Sequence, residues 1–594
     1  MKLLHVIKLS FGTILKIKPS RIFFAFMSVF MKIANAVFIG VFCFQEIING
    51  IFYTKQLQNV AFWLFIQLLC TMIINLYEDW YNRIYRLKTD TDIKEEIQNR
   101  ISKKCIEYDL LTFTKSDNLD RYKRVITSTD EKCIEIFESV FDYIASIGIL
   151  LLAGAFVVVE EPVIAISIIF CYIVDMLLTL RKNKVLFEEY MIMNRHQRKE
   201  DYFIRVNYVK NFALDSRVSH ISSALQKQYD DSYAELQRDI KKYFLKTSGY
   251  EVLSALNKMM FGAHIPYILL GVLALITRKY TAGEIAVLVA AMIKMRTALS
   301  GITMIYPKLK QNMLYMNDYQ EFMNYEPGIS RNEEGICPET KANSIRLQNV
   351  TFGYDREHPV LRNINMEVKG GERVAIVGYN GAGKTTLVKV MLRLYLPDTG
   401  SVFMDDTAAE TYNLAAYRER FAIAFQESNT YALPVAENVL MDIYEANKKE
   451  QVEEALNKAG LKEKTEEYAK GILCEMTQEF DDEGMELSGG QTQKMALSRV
   501  YAKESGIVIL DEPSSALDPI SENEMIKTMM ENTKGKTLLL ISHRLSAVRD
   551  MDRIYFMEKG EIVEVGNHKE LLERGGKYAR MWYAQADKYQ VNNG

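Results

Sequence analysis

The stretch ERVAIVGYNGAGKTTLVKVMLRLY, residues 372–395, decides how the chain is read. A short apolar run rich in β-branched residues meets a glycine-rich turn, which opens into a helix-spaced run. That is strand, loop and helix in succession. Within GYNGAGKTT, Gly378 to Thr386, the loop positions Gly378, Asn380, Gly381 and Gly383 let the backbone wrap an anion with its N–H groups. Lys384 is expected to reach the β- and γ-phosphates of a nucleotide. The Thr385 hydroxyl is expected to bind Mg²⁺, with Thr386 beside it.

Two further strand endings supply matching chemistry. GIVILDEP, Gly506 to Pro513, is an apolar strand that ends in two carboxylates. Asp511 would hold Mg²⁺, directly or through water, and Glu512 would polarise a water attacking the γ-phosphate. TLLLISHR, Thr537 to Arg544, ends in Ser542 and His543. Ligands of parallel sheets bind at the carboxyl ends of strands, which makes His543 a candidate for the same site. A fourth segment, LSGGQTQKMALSRV (Leu487 to Val500), reads as a tight turn through Gly489 and Gly490 into a helix with free amides at its start. It is a second anion site in a chain that already has one.

Upstream the composition changes. The chain has 594 residues, of which 48% are hydrophobic, and the long apolar runs gather in the first half. Stretches of about 20 mostly apolar residues are long enough to cross a bilayer. They fall near 22–48, 59–80, 138–159, 162–181, 252–277 and 282–306. Arg83, Arg86, Lys88, Lys94 and Arg100 are among the many cations between the second and third spans, and the segment between the fourth and fifth is similarly basic. The loop after the first span has only Lys55, and VEEP (159–162) has no cation, so both termini are expected in the cytoplasm. The two basic segments favour helix and would carry the chain tens of ångströms beyond the bilayer at ~1.5 Å per residue. Polar turns are expected within them at 114–124 and 208–218, where the membrane half could meet the soluble half. The basic, amphipathic N-terminus lacks a cleavage site and reads as a helix on the cytoplasmic membrane face, not a signal peptide.

These divisions give a transmembrane domain over 1–325, a linker over 326–342 and a nucleotide-binding domain over 343–594. The fold class is an all-α six-helix membrane domain with long cytoplasmic extensions, followed by an α/β P-loop NTPase domain. Net charge is −3 and no basic block stands out in the soluble half, so no nucleic-acid partner is expected. The seven cysteines show no metal-like spacing and read as space-filling thiols.

In their order, the phosphate loop, LSGGQ, LDEP followed by SSALD, and the strand-end histidine resemble the ABC transporter ATPase domain over residues 343–580. With six spans upstream, nearly the whole chain resembles an exporter-type half-transporter. The resemblance implies that Tyr354, in NVTFGYD, stacks on adenine. It also implies that Gln426, in IAFQES, contacts Mg²⁺ or the lytic water, that His543 contacts the γ-phosphate, and that Asp518, in SSALD, belongs to the D-loop. Ser488, Gly489, Gly490 and Gln491 would then cap ATP held by another domain. One phosphate loop grips one nucleotide tail, so the second tail must come from another chain. All catalytic positions are intact, which favours a homodimer over a pair of related half-transporters. Two departures from the family pattern stand beside the signature. Asp481 and Asp482 replace a usual Gly-Glu, and Thr492 and Lys494 stand where arginines often follow.

FDDEG before the signature and LDEPSSALDP after it are similar to bacterial exporters of ribosomally made peptides and bacteriocins. Some of these carry an N-terminal cysteine peptidase, for which no room precedes the first span, so any leader is expected to be removed elsewhere. A multidrug or lipid exporter or flippase, or an importer on the exporter fold, keeps the same motifs. Lys32, Asp142, Asp175, Lys258, His264, Lys294 and Arg296 fall inside the apolar runs. Each reads as part of a polar path for a charged or amphipathic cargo, as one half of an internal ion pair, or as a side chain snorkelling to an interface.

Overall fold

The computed structural model describes residues 3–114, 116–277, 280–339, 343–355, 357–513 and 519–590. The chain forms two units. One comprises Met1–Ile106 and Asp117–Tyr325; the other comprises Glu107–Ser116 and Glu326–Gly594.

The first unit is helical. Six helices are long and apolar enough to cross a bilayer: Ser20–Tyr53, Leu57–Glu107, Arg121–Glu160, Pro162–Leu186, Ile221–Thr277 and Ala282–Met323. Several far exceed the ~20 residues that a ~30 Å hydrocarbon layer requires, so they continue beyond it as polar extensions. Helical hydrogen bonding widens to the π register at Ala34–Cys43, Tyr81–Tyr85 and Met260–His264. The N-terminal helix Leu3–Ile17 buries Val6, Ser10 and Ile14, and Phe11 meets Phe137 and Phe141 at ring-centroid distances of 4.9 and 5.7 Å. It is therefore packed on the third span by its apolar stripe. Just beyond it Arg21, 1% exposed, reaches Asp90 at 2.8 Å and Glu138 at 2.7 Å, closing the start of the first span onto the second and third.

Both expected turns differ in detail. Over 114–124 the chain is already helical from Ser116 onward, and the break falls earlier, at Tyr108 and Asp109, followed by a 3-10 turn over Leu110–Thr114. Its cause is tertiary. Asp109 accepts from the Gly328 N–H at 2.7 Å, and Leu111 packs against the core of the second unit, to which this segment belongs. Over 208–218, Lys210–Val218 is a short helix bounded by extended Val209 and Ser219.

The second unit carries two sheets. The strands are β1 (Ile345–Phe352), β2 (Leu361–Val368), β3 (Arg373–Gly378), β4 (Thr399–Met404), β5 (Thr407–Ala408), β6 (Phe421–Ala424), β7 (Ile507–Asp511), β8 (Thr537–Ile541), β9 (Arg553–Glu558) and β10 (Glu561–Gly566). An antiparallel sheet runs β2-β1-β4-β5, and a six-stranded sheet runs β10-β9-β3-β8-β7-β6. Strands β9, β3, β8, β7 and β6 are parallel. Covered on both faces, β7 and β8 are buried at every residue, which is why they read as unbroken apolar runs. The order sets the carboxyl ends of β3, β8, β7 and β6 side by side, so four segments distant in sequence open on one edge.

Candidate nucleotide site

The phosphate loop leaves β3 and enters the helix Lys384–Met391. Gly378 has φ +154°, and a Cβ there would lie 2.2 Å from the Met557 carbonyl oxygen, so no side chain fits. Gly381 and Gly383 take φ of +78° and +97°, the left-handed region that glycine enters without strain. Asn380 is exposed at the loop tip. Lys384 is buried and donates to the carbonyls of Gly378 and Tyr379 at 3.1 and 3.2 Å, which curls its ammonium into the loop. Burial pushes that ammonium below the usual lysine value, against the opposing pull of Glu512 and Asp511.

From β7, Asp511 Oδ2 accepts from the Thr385 hydroxyl at 2.8 Å, while Oδ1 is buried and has no hydrogen-bond partner. Burial raises the Asp511 carboxyl above the usual aspartate value; the Thr385 bond opposes the rise and the Glu512 charge adds to it. Glu512 follows with φ +52°, a conformation costly for a side chain of this size, held by its N–H on the Ile541 carbonyl at 2.9 Å. Its Oε2 accepts from Gln426 Nε2 at 3.0 Å and lies 3.3 Å from His543 Nδ1. Residues from β6, β7 and β8 thus converge on one carboxylate oxygen.

Tyr354, on the antiparallel side, meets Phe352 and Tyr395 edge-on at 5.5 Å each, and its hydroxyl lies 3.2 Å from Thr386 Oγ1. Its ring remains 42% exposed and free to take a flat partner.

The signature is a separate feature. Gly489 and Gly490 do not form the turn; they are the first residues of the helix Gly489–Ala502, and Ser488 is its N-cap. Ser488 Oγ accepts from the Gln491 N–H at 3.3 Å, and Gln491 Oε1 accepts from the Ser488 N–H at 2.9 Å. These bonds are local to the helix start, and Ser488 and Gly489 are exposed. Among the described residues no hydrogen bond ties Ser488–Gln491 to the phosphate-loop side chains. Asp481 finds its partner in Lys470, at 2.9 Å, and that bond holds its carboxyl below the usual aspartate value. Thr492 caps back to the Ser488 carbonyl at 3.1 Å, and Lys494 reaches the Gly460 carbonyl at 3.5 Å. Asp518 lies outside the described residues.

Two residues without a motif brace these loops. Arg499, in the last turn of the signature helix, donates to the Asn438 carbonyl (2.9 Å), Ser428 Oγ (2.9 Å) and the Asn429 carbonyl (2.8 Å). Buried Asn438 in turn holds the backbone of Tyr431 and Leu433, so together they clamp the loop that follows Gln426. Gln585 donates to the His543 carbonyl at 2.7 Å and accepts from the Leu545 N–H at 3.0 Å.

A parallel sheet with a phosphate loop, a strand-end acid pair and a strand-end histidine, joined to a six-helix membrane unit, defines a nucleotide-driven membrane protein. Residues 361–515 match the ABC transporter family, and the second unit is its ATPase domain. The subtilin transport ATP-binding protein SpaT of Bacillus subtilis is 27% identical, covering 91% of this chain and 88% of that protein. The nisin transport ATP-binding protein NisT of Lactococcus lactis subsp. lactis is 25% identical, covering 95% and 94%. The ATP-dependent lipid A-core flippase of Escherichia coli (strain K12) is 34% identical over 51% of each. The structure of a bacterial Atm1-family ABC exporter with ATP bound superimposes with TM-score 0.78, at 21% identity, over 96% of this chain and 98% of that one. The chain carries an ABC transporter ATPase domain that couples ATP hydrolysis to transport, and along nearly its whole length it is similar to exporter-type half-transporters. Six helices long and apolar enough to cross a bilayer, in an exporter fold, make it a multi-pass membrane protein.

Proposed function

We propose that a homodimer of this chain exports an amphipathic peptide across the cell membrane, with both termini of each copy in the cytoplasm. What favours a peptide is that the relatives aligned along nearly the whole chain are named for subtilin and nisin transport, whereas the lipid A-core flippase aligns over about half. A lipid exporter is the second reading, and that partial alignment is its support.

The observation that carries the mechanism is the convergence of Gln426 and His543 on Glu512, beside Asp511, Thr385 and Lys384. ATP would lie with its phosphates in the loop at Gly378–Thr386, its charge met by Lys384, and its adenine on Tyr354. The unpartnered, buried Asp511 Oδ1 and the Thr385 hydroxyl suit a small hard cation, and Gln426, bonded to the neighbouring Glu512, would join them. Mg²⁺, when bound there, neutralises charge on the β- and γ-phosphate oxygens. Glu512 would orient and deprotonate the attacking water; Gln426 and His543 hold its Oε2 until the γ-phosphate draws His543 away. Since Ser488 and Gly489 are exposed, Gly490 and Gln491 are half-buried, and their bonds are local to the helix start, the four remain available to cap the nucleotide of the second copy. ATP then stabilises the closed pair only as far as it prefers that state. Asp518 would border the same interface.

Glu512→Gln tests this reading. The variant should bind ATP, accumulate as closed dimers and lose about 10²- to 10⁴-fold in turnover, the usual worth of a positioned base. Turnover at the parent rate would remove Glu512 from its role. Uptake of a labelled peptide by inverted proteoliposomes, abolished in the same variant, tests the cargo and direction.

A further inference from the structure

The ionisable residues inside the apolar spans divide into matched and unmatched groups. Lys258 pairs with fully buried Asp175 at 2.9 Å, and Lys32 pairs with Asp142 at 2.6 Å. Two cations on the sixth span remain without a carboxylate among the described residues. Arg296 meets phenols and a thiol: its Nη1 lies 3.3 Å from the Tyr267 hydroxyl, Tyr172 and Cys171 are its other neighbours, and its Nε is buried without a partner among the described residues. Lys294 has no ion-pair partner, and it is seated over Gly40, where a Cβ would lie 2.7 Å from its Cε. Both residues stand roughly 18–21 Å from the start of the helix at Ala282, near the middle of a ~30 Å hydrocarbon layer. Uncompensated charge at that depth is costly and marks a place where something else is met.

The helix shows what side it is met from. Val287, Leu288, Ala291, Met292, Met295 and Ala298 are buried. The opposite stripe, through Ala290, Ile293, Thr297, Ser300 and Met304, is open, with Ile293, Thr297 and Met304 exposed. At about 100° per residue, Lys294 falls on one flank of this stripe and Arg296 on the other. A face turned to lipid in this unit looks different: the second span exposes Phe62, Phe65, Leu68, Met72 and Leu76. A stripe that mixes small and polar side chains with Ile293 and Met304, bracketed by two cations, suits a molecule that is partly apolar and carries negative charge better than it suits acyl chains alone.

We propose that Lys294 and Arg296 form an anion-reading site on the open face of the sixth span, which takes a carboxylate of the transported amphipathic peptide as the cargo crosses the bilayer. The proposal rests on the export reading above and adds the charge of the cargo to it. The probe is one dansyl-labelled amphipathic dodecapeptide, uncharged elsewhere, made with a C-terminal carboxylate and with a C-terminal amide. Binding is measured to the full-length protein in phosphatidylcholine nanodiscs. The carboxylate form should bind at least tenfold more tightly than the amide. Lys294→Gln with Arg296→Gln should erase that preference, and Lys294→Arg with Arg296→Lys should keep it, which separates lost charge from lost folding. Equal binding of the two forms, no binding of either, or a preference that survives the double glutamine variant would overturn the proposal. So would displacement of the bound carboxylate form by phosphatidylglycerol added to the nanodisc, since a lipid headgroup would then be the occupant. ATP-driven uptake of the amide form reports peptide export independently, so failure of the anion site and failure of the export reading are told apart.

Discussion

Arg499 offers a test of how the signature helix and the catalytic loop are joined. Its three short hydrogen bonds, at 2.8 to 2.9 Å, run to Asn438, Ser428 and Asn429, and so to the segment just after Gln426. Bonds from a charged donor contribute about 1.5–3 kcal/mol each. The Asn429 carbonyl sits in an exposed setting, where water replaces the lost donor, leaving two bonds that count. Burial disfavours the charged guanidinium and offsets part of the gain. The clamp is therefore worth about 2–3 kcal/mol, and Arg499→Met should loosen the loop by that amount. Gln426 would then be held to Glu512 by its own 3.0 Å bond alone. The expected cost is a fall in kcat of up to about 30- to 160-fold, the equivalent of that energy, with KM for ATP little changed. Tyr354 and the phosphate loop stand on strands that Arg499 does not touch. Arg499→Lys, which keeps the charge but reaches fewer acceptors, should lie between the two. Steady-state ATPase kinetics on the reconstituted protein decide the matter. A kcat at parent level in Arg499→Met, or a loss confined to KM, would refute the reasoning.

Other outcomes follow from the same geometry. Arg21→Met leaves Asp90 and Glu138, whose side chains are only 21% and 17% exposed, to the longer contacts of Arg86 at 3.5 and 3.9 Å; it should destabilise the membrane unit by about 3 kcal/mol, at the low end for a broken buried pair. The double variant Arg21→Met with Glu138→Gln should regain part of the lost Tm, and no difference between the two would argue against the network. For Lys384, phosphate favours the charged form while burial depresses its pKa in the free protein. ATP affinity should thus be flat below the free-state pKa and fall as pH rises through it, at a pH below the usual lysine value. Calorimetry in buffers of different ionisation enthalpy should show proton uptake on the alkaline side, and its absence would count against a buried, depressed lysine.

How much of this was legible beforehand depended on whether a feature is local. The strands ending in Asp511 and His543 and the loop at Gly378–Thr386 announced themselves, because a parallel strand buried on both faces must be apolar throughout and a phosphate cradle must be glycine-rich. Hydropathy alone also marks six long apolar helices. By contrast, the break at Tyr108 and Asp109 carries neither Gly nor Pro; it exists because Asp109 and Leu111 find partners far along the chain. The π-helical register at Ala34–Cys43 changes which carbonyl an amide meets without altering composition, so no apolar window reveals it. Gly489 and Gly490 suggested a turn on propensity, but Ser488 caps the helix one residue earlier. Arg499, Asn438 and Gln585 act largely through main-chain atoms of distant loops, and such contacts leave no motif.

The central claim is that each nucleotide is gripped by the phosphate loop of one copy and the signature of the other. It is tested by comparing two mixed dimers that carry the same two lesions. In one, a Lys384→Ala chain pairs with a Ser488→Arg chain; in the other, a chain with both substitutions pairs with the parent. Shared sites predict ATPase activity in the first dimer, where one site keeps both halves intact, and little in the second, where each site is damaged. Activity in the second dimer and silence in the first would show that each chain completes its own site, and would contradict the account.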